Sequence, residues 1–233
     1  MKKVEFINDS LYHIYNRGVE KRTIFPDEKD YYRFIHNLYE FNNKNSVINL
    51  GQRLQQSNRG ETSITLSQRD SFVEIICFCL MPNHFHLILK QLKHGGISRF
   101  LQKLGTGYTM YFNKKYDRNG VLFQGTFKAI HVDKDEYFLP LSYYIHLNPL
   151  ELAIPKWKER GIQDWEIVNK FLKEYKWSSY LDYIGKQNFP SLINKDFLLD
   201  YFDGREKNYQ RNIMEWVMGD FEEKEKLSRF RLD

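Results

Sequence analysis

Only two of the 233 residues are cysteines, Cys77 and Cys79, and six are prolines. Two thiols separated by one residue in an apolar strand-like run share a face but lack the separation and geometry of a structural disulfide, so buried free thiols are expected. No stretch approaches the roughly 18 consecutive apolar residues of a membrane-spanning helix. The start, Met1-Lys2-Lys3-Val4-Glu5, lacks the apolar core of a signal peptide, so the sequence points to a cytoplasmic protein without a membrane partner. No linker rich in Pro, Gly or Ser divides the chain. What is present is a 42% hydrophobic content that can supply a sizeable core, a net charge of +5 with pI near 8.9, and a 16% aromatic share that includes 16 Tyr and 18 Phe. Basic charge mixed with aromatic rings suits single-stranded nucleic acid, where cations track phosphates and rings stack on bases; a solvated basic surface is the plainer reading of the same composition.

Along the chain, the run from Phe6 to Arg17, which contains Leu11-Tyr12-His13-Ile14-Tyr15-Asn16-Arg17, is rich in strand formers and closes on Gly18, so a strand followed by a turn is expected. Asp27 or Asp30 can cap a helix to about Asn42, with Tyr31, Phe34, Ile35, Leu38 and Tyr39 at helical spacing. Residues 51–70 carry few apolar side chains and no period, as expected of a flexible insertion. Phe72–Leu80 and His84–Lys90 read as an antiparallel pair joined at Met81-Pro82-Asn83. A helix over 97–116 follows, with Arg99, Lys103, Lys114 and Lys115 on its exposed side, and Val121–Ile130 reads as extended chain. Asp133 and Glu136 resemble a capping box for a helix to about Leu147, interrupted by Pro140, where either a kink or a start near Leu139 is expected. Beyond Pro149 the sequence suggests a largely helical extension, residues 151–233, packed on a first domain of residues 1–150.

Two features carry chemistry. His84 and His86 alternate with apolar residues, so both imidazoles lie on one strand face with Ile88, roughly 7 Å apart along the chain, and can turn toward one cation; two hydrogen-bonded, partly buried histidines are the alternative. Tyr144 and Asn148 are four residues apart, one helical turn on one face. If that face looks at the histidine strand, the amide oxygen completes a two-nitrogen, one-oxygen set and the phenol stands beside it, with Tyr143 as a competing tyrosine and a helix-end cap as the alternative role of Asn148.

Tyr-His-Ile-Tyr-Asn-Arg-Gly at 12–18, Met-Pro-Asn-His-Phe-His-Leu at 81–87 and Tyr-Ile-His-Leu-Asn-Pro at 144–149, with Trp-Ser-Ser-Tyr at 177–180, resemble the single-tyrosine HUH transposases of the REP-associated tyrosine transposase branch, which carry an IS200-like domain. The resemblance implies an α+β, ferredoxin-like antiparallel sheet with helices on one face plus the helical C-terminal extension. It implies Tyr144 as nucleophile, His84, His86 and Asn148 as ligands of Mg or Mn, and a 5′-phosphotyrosine formed on single-stranded or hairpin DNA without a nucleotide cofactor. Arg17, Lys103, Lys114, Lys115, Arg118 and Lys128 are the candidate DNA contacts, and a monomer or homodimer is expected. Thr126 stands where the branch more often has Arg. A non-cleaving hairpin DNA or RNA binding module of the same fold is the alternative; a histidine-triad nucleotide hydrolase fits poorly, because Ile88 occupies the next alternate position.

Overall fold

The computed structural model describes residues 4–44, 69–132, 135–162 and 164–219. The insertion expected over 51–70 therefore falls almost wholly outside the described residues, as do the C-terminal residues 220–233 and Asp133 of the expected capping box.

Four strands, β1 (Leu11–Arg17), β2 (Val73–Met81), β3 (His84–Gln91) and β4 (Lys128–Val132), form one antiparallel sheet in the order β2-β3-β1-β4. Helix α1 (Glu28–Phe41) connects β1 to β2, and α2 (Gly96–Lys115) connects β3 to β4. This is the α+β, ferredoxin-like arrangement. Asp27 starts α1 with a reciprocal capping box, its side chain accepting from Asp30 N while the Asp30 side chain accepts from Asp27 N. Tyr31, Phe34, Ile35 and Leu38 are buried on its inner side, whereas Tyr39 lies on the outer side, one position beyond the apolar stripe. The α2 stripe, Ile97, Phe100, Leu101, Leu104, Tyr108 and Phe112, packs with α1 against Phe85, Leu87 and Leu89 of β3.

The other sheet face is covered too. Helix α3 (Asp135–Leu147) runs over it, and every residue from Leu141 to Leu150 is buried. The helix continues through Pro140 instead of starting near Leu139. Proline removes one backbone hydrogen bond near the helix N-terminus, and the burial of Phe138 and Leu141 on either side offsets that loss. Extended structure over 121–130 is confined to β4: Gly120 and Gly125 take positive φ (87° and 69°), so the chain turns through a loop that meets the end of β1 at the Gly18–Phe123 bridge and through Gln124 N, which donates to Arg17 O at 2.8 Å, before ladder pairing begins at Lys128.

The C-terminal elements are α4 (Leu150–Ala153), α5 (Trp157–Arg160), α6 (Trp165–Glu174), a 3₁₀ segment (Ser179–Ile184), α7 (Lys195–Leu199) and α8 (Glu206–Met218). They share one core with α3 and with Cys77, Cys79 and Ile88 of the sheet. Trp177 O accepts from Leu80 N at 2.9 Å and Ser178 bridges Cys79, so this segment closes the otherwise open β2 edge. A register shift lies between Ile75 and Cys77, and Tyr183 Oη donates to Ile76 O there at 2.6 Å.

His146 ties these layers together. Its Nδ1 lies 2.5 Å from Tyr209 Oη of α8 and its Nε2 2.8 Å from Ser179 Oγ, which in turn accepts from Phe78 N of β2 at 2.9 Å. Burial holds the imidazole neutral, with its pKa pushed down to about 3. We expect His146→Phe to lower the unfolding free energy at pH 7 by about 1–3 kcal/mol, since it removes one hydrogen bond from each of two buried hydroxyls. The wild-type imidazole binds a proton below about pH 6.5 when unfolded but only near 3 when folded, so its stabilisation is complete above 6.5 and is lost as pH falls. Urea titrations at pH 7 and pH 4.5 should find the gap between variant and wild type narrower at the lower pH.

Candidate functional site

His84 and His86 open β3, the strand flanked by β2 and β1, and their rings stand 5.1 Å apart at right angles. Strand alternation sends both toward α3, as it sends Phe85 and Leu87 toward α1 and α2. Helix α3 answers with Tyr144, whose ring meets His86 edge to face at 5.9 Å. One residue earlier, Tyr143 turns away into the C-terminal core among Phe202, Tyr209 and Trp216. Of the two adjacent tyrosines, then, only Tyr144 faces the histidines. Asn148, one turn on, hydrogen-bonds His84 through its side chain and reaches back to Tyr144 O at 3.5 Å.

The imidazoles are held neutral. Burial first, then the positive charges of Lys158 and Arg17, push His84 down to about 4 despite its hydrogen bond with Asn148; burial, the neighbouring histidines and Lys158 drive His86 well below its ordinary range. His84 Nδ1 lies 2.6 Å from Asn83 Oδ1, and His86 Nδ1 lies 2.9 Å from Nε2 of His13, itself fully buried. His86 Nε2 is a buried nitrogen with no hydrogen-bond partner among the described residues. No three His, Cys, Asp or Glu side chains among the described residues are disposed to hold a metal ion together. The donor set is instead two neutral imidazoles and one amide, and the unmatched Nε2 fits a cation ligand.

The residue sequence reasoning missed is Lys158. It stands on the short helix α5, with Nζ 3.4 Å from Tyr144 Oη and 4.6 Å from the centre of its ring. Fourteen residues and a change of direction separate it from Tyr144, so no helical or strand spacing links the two; only its place among scattered C-terminal basic residues was visible.

The six candidate DNA contacts divide. Arg17 pairs with His84 across the β1–β3 ladder, and its Nε donates to Gln124 Oε1. Lys128 is exposed at the start of β4, opposite Tyr15, which itself touches His86. These two adjoin the histidine site. Lys103, Lys114 and Lys115 belong to α2, on the far face of the sheet, and Arg118 follows it. Lys103 Nζ donates to Asn43 O at 3.0 Å, and Arg118 donates to Asn113 Oδ1 and Val121 O. Lys115 is bound at 2.8 Å to both Asp27 and the fully buried Asp30, clamping α2 to the start of α1. Lys114 is exposed. Thr126 is exposed in the loop before β4.

Residues 53–148 match the sequence model of the family described as "Transposase IS200 like". That stretch of the chain is similar to the IS200-like transposases. Among solved structures, a REP-associated tyrosine transposase bound to a REP hairpin superposes with a TM-score of 0.50 at 13% identity, covering 82% of this chain and 88% of that one, a likeness of fold. No curated protein matches the sequence. No helix among the described residues is long and apolar enough to cross a membrane.

The engagement of Lys115 separates a structural cation from a DNA-binding one. Lys115→Gln should cost about 1–3 kcal/mol in urea unfolding, because it leaves the buried Asp30 carboxylate short of its ion pair. Its affinity for single-stranded DNA, read by fluorescence anisotropy, should stay within about twofold of wild type.

Proposed function

We propose that this protein is a metal-dependent single-stranded DNA endonuclease and strand transferase that works through a 5′-phosphotyrosine on Tyr144, on DNA that carries a hairpin. The observation that carries the reading is the meeting of Tyr144 from α3, His84 and His86 from β3, and Lys158 from α5 around one point, with the histidines and the tyrosine inside the stretch that matches a transposase family model. The hairpin bound by the structural neighbour supports the choice of substrate.

His84, His86 and Asn148 would hold a divalent cation, Mg or Mn, which when bound supplies Lewis-acid polarisation of a phosphate oxygen. The protein's own groups do the rest. A free phenol, with a pKa near 10, is a weak nucleophile, and the Lys158 ammonium beside Oη favours the phenolate as the proton leaves to water. Tyr144 Oη then forms the bond to phosphorus while the bond from phosphorus to the 3′ oxygen breaks, and that oxygen takes up a proton as a free 3′-OH. In rejoining, a 3′-OH attacks the phosphotyrosine and the phenolate departs toward the same ammonium. Each step exchanges one phosphodiester for another, so no nucleotide cofactor is required. The T-shaped packing of His86 on the Tyr144 ring keeps the phenol oriented before DNA arrives. Arg17 and Lys128, beside the site, are the residues we assign to the DNA backbone.

The test is a denaturing gel of the protein incubated with labelled hairpin-bearing single-stranded DNA and Mn. Wild type should give a protein-linked band, and Tyr144→Phe should give none while binding DNA within a few-fold of wild type. Lys158→Gln should slow formation of the adduct by about 10²-fold, with DNA affinity changed less than tenfold. A wild-type reaction without any linked band, on DNA that the protein binds, would leave a hairpin-binding module in place of the enzyme.

A further inference from the structure

His13 lies on β1, outside the set of ligands and nucleophile, yet it makes the one hydrogen bond that His86 has among the described residues. The ladder pairs His13 with Ile88 and Tyr15 with His86, so His13 and His86 are diagonal neighbours on one sheet face. Both side chains are fully buried, their planes differ by 12°, and Nε2 of His13 meets Nδ1 of His86 at 2.9 Å. Tyr15 packs on both rings, 4.9 Å from His13 and 5.8 Å from His86, and is itself 6% exposed. The pair is thus walled in and has no freedom to reorient.

A single proton occupies the bond between two neutral imidazoles. If His13 donated it, the remaining proton of His86 would sit on Nε2, a buried N–H with no acceptor and with the Lys158 cation acting on the same ring. If His86 donates it, the remaining proton of His13 sits on Nδ1, which likewise has no hydrogen-bond acceptor among the described residues, so each orientation leaves one such N–H. What separates them is Lys158, 3.4 Å from the neighbouring Tyr144 hydroxyl, whose charge acts on the His86 ring and favours a lone pair on its Nε2 over an N–H. His84 is arranged in the same sense: its Nδ1 meets Asn83 Oδ1, an atom that only accepts, so its proton also lies on Nδ1.

We propose that His13 is a positioning residue for His86: it accepts a hydrogen bond from His86 Nδ1–H and so fixes the tautomer that aims a bare Nε2 into the cation site. The inference rests on the metal-site reading above, but the tautomer is a property of the protein alone and can be read without metal. The Tyr12–Tyr15 stretch of β1 thereby acquires a role as the supporting shell of the histidine strand.

Three readouts on the full chain test it. Long-range ¹⁵N correlation spectra of the metal-free protein should find the proton of His86 on Nδ1; a proton on Nε2 overturns the proposal. Calorimetric titration with Mn should find binding weakened about 10–100-fold in His13→Leu, which cannot accept the bond. His13→Gln, whose amide oxygen can accept it, should stay within about fivefold of wild type. Equal losses in His13→Leu and His13→Gln, or Mn binding by a folded His13→Leu at wild-type strength, would each refute the positioning role. A wild-type chain that binds no Mn overturns the metal reading instead, and the ¹⁵N spectrum still decides the orientation of the bond.

Discussion

Strand β3 has to satisfy two cores at once, and the rest of the molecule follows from how it does so. Flanked by β2 and β1, it buries Phe85, Leu87 and Leu89 against α1 and α2 and sends His84, His86 and Ile88 toward α3. Placing imidazoles where a sheet ordinarily buries aliphatic side chains forfeits hydration, and the molecule meets that cost by keeping them neutral and giving Nδ1 of each a fixed partner. Nε2 of His86 is left without a hydrogen-bond partner among the described residues.

Helix α3 is held from behind as firmly as the histidines are held from below. His146 bonds to Ser179 and Tyr209 on the C-terminal side, while Tyr144, two residues earlier and on the opposite flank, contacts His86. The position of the phenol thus depends on elements after residue 150 as well as on the sheet. The same elements deliver Lys158 to its hydroxyl and cover the β2 edge at Trp177 and Ser178. Residues beyond 150 are in this sense part of the site's framework, sharing one core with α3 and the sheet.

Much of this was legible from spacing. The period of two across 84–88 placed both histidines on one face, and the four-residue step from Tyr144 to Asn148 placed phenol and amide on one helix flank. The apolar stripes of α1 and α2 announced their buried sides, with Tyr39 the exception at a stripe's margin. Pro140 looked like a breaker because local backbone cost is visible in sequence, whereas the burial on both sides that offsets it is not. The run over 121–130 looked uniformly extended because its residues favour strands; two glycines at positive φ turn the first part into a loop.

The sequence by itself determined the alternation of β3, the stripes of its two covering helices, and the identity of the groups able to bind a cation or attack phosphorus, since these are local periodicities and local chemistry. Tertiary structure alone decided which tyrosine faces the histidines, that Lys115 is committed to Asp30, and that Lys158 and His13 stand against Tyr144 and His86. Those pairs come from elements 14 to 85 residues apart in sequence. They meet only because sheet register and the return of the C-terminal chain over α3 bring them together, and no pattern within a single element encodes that.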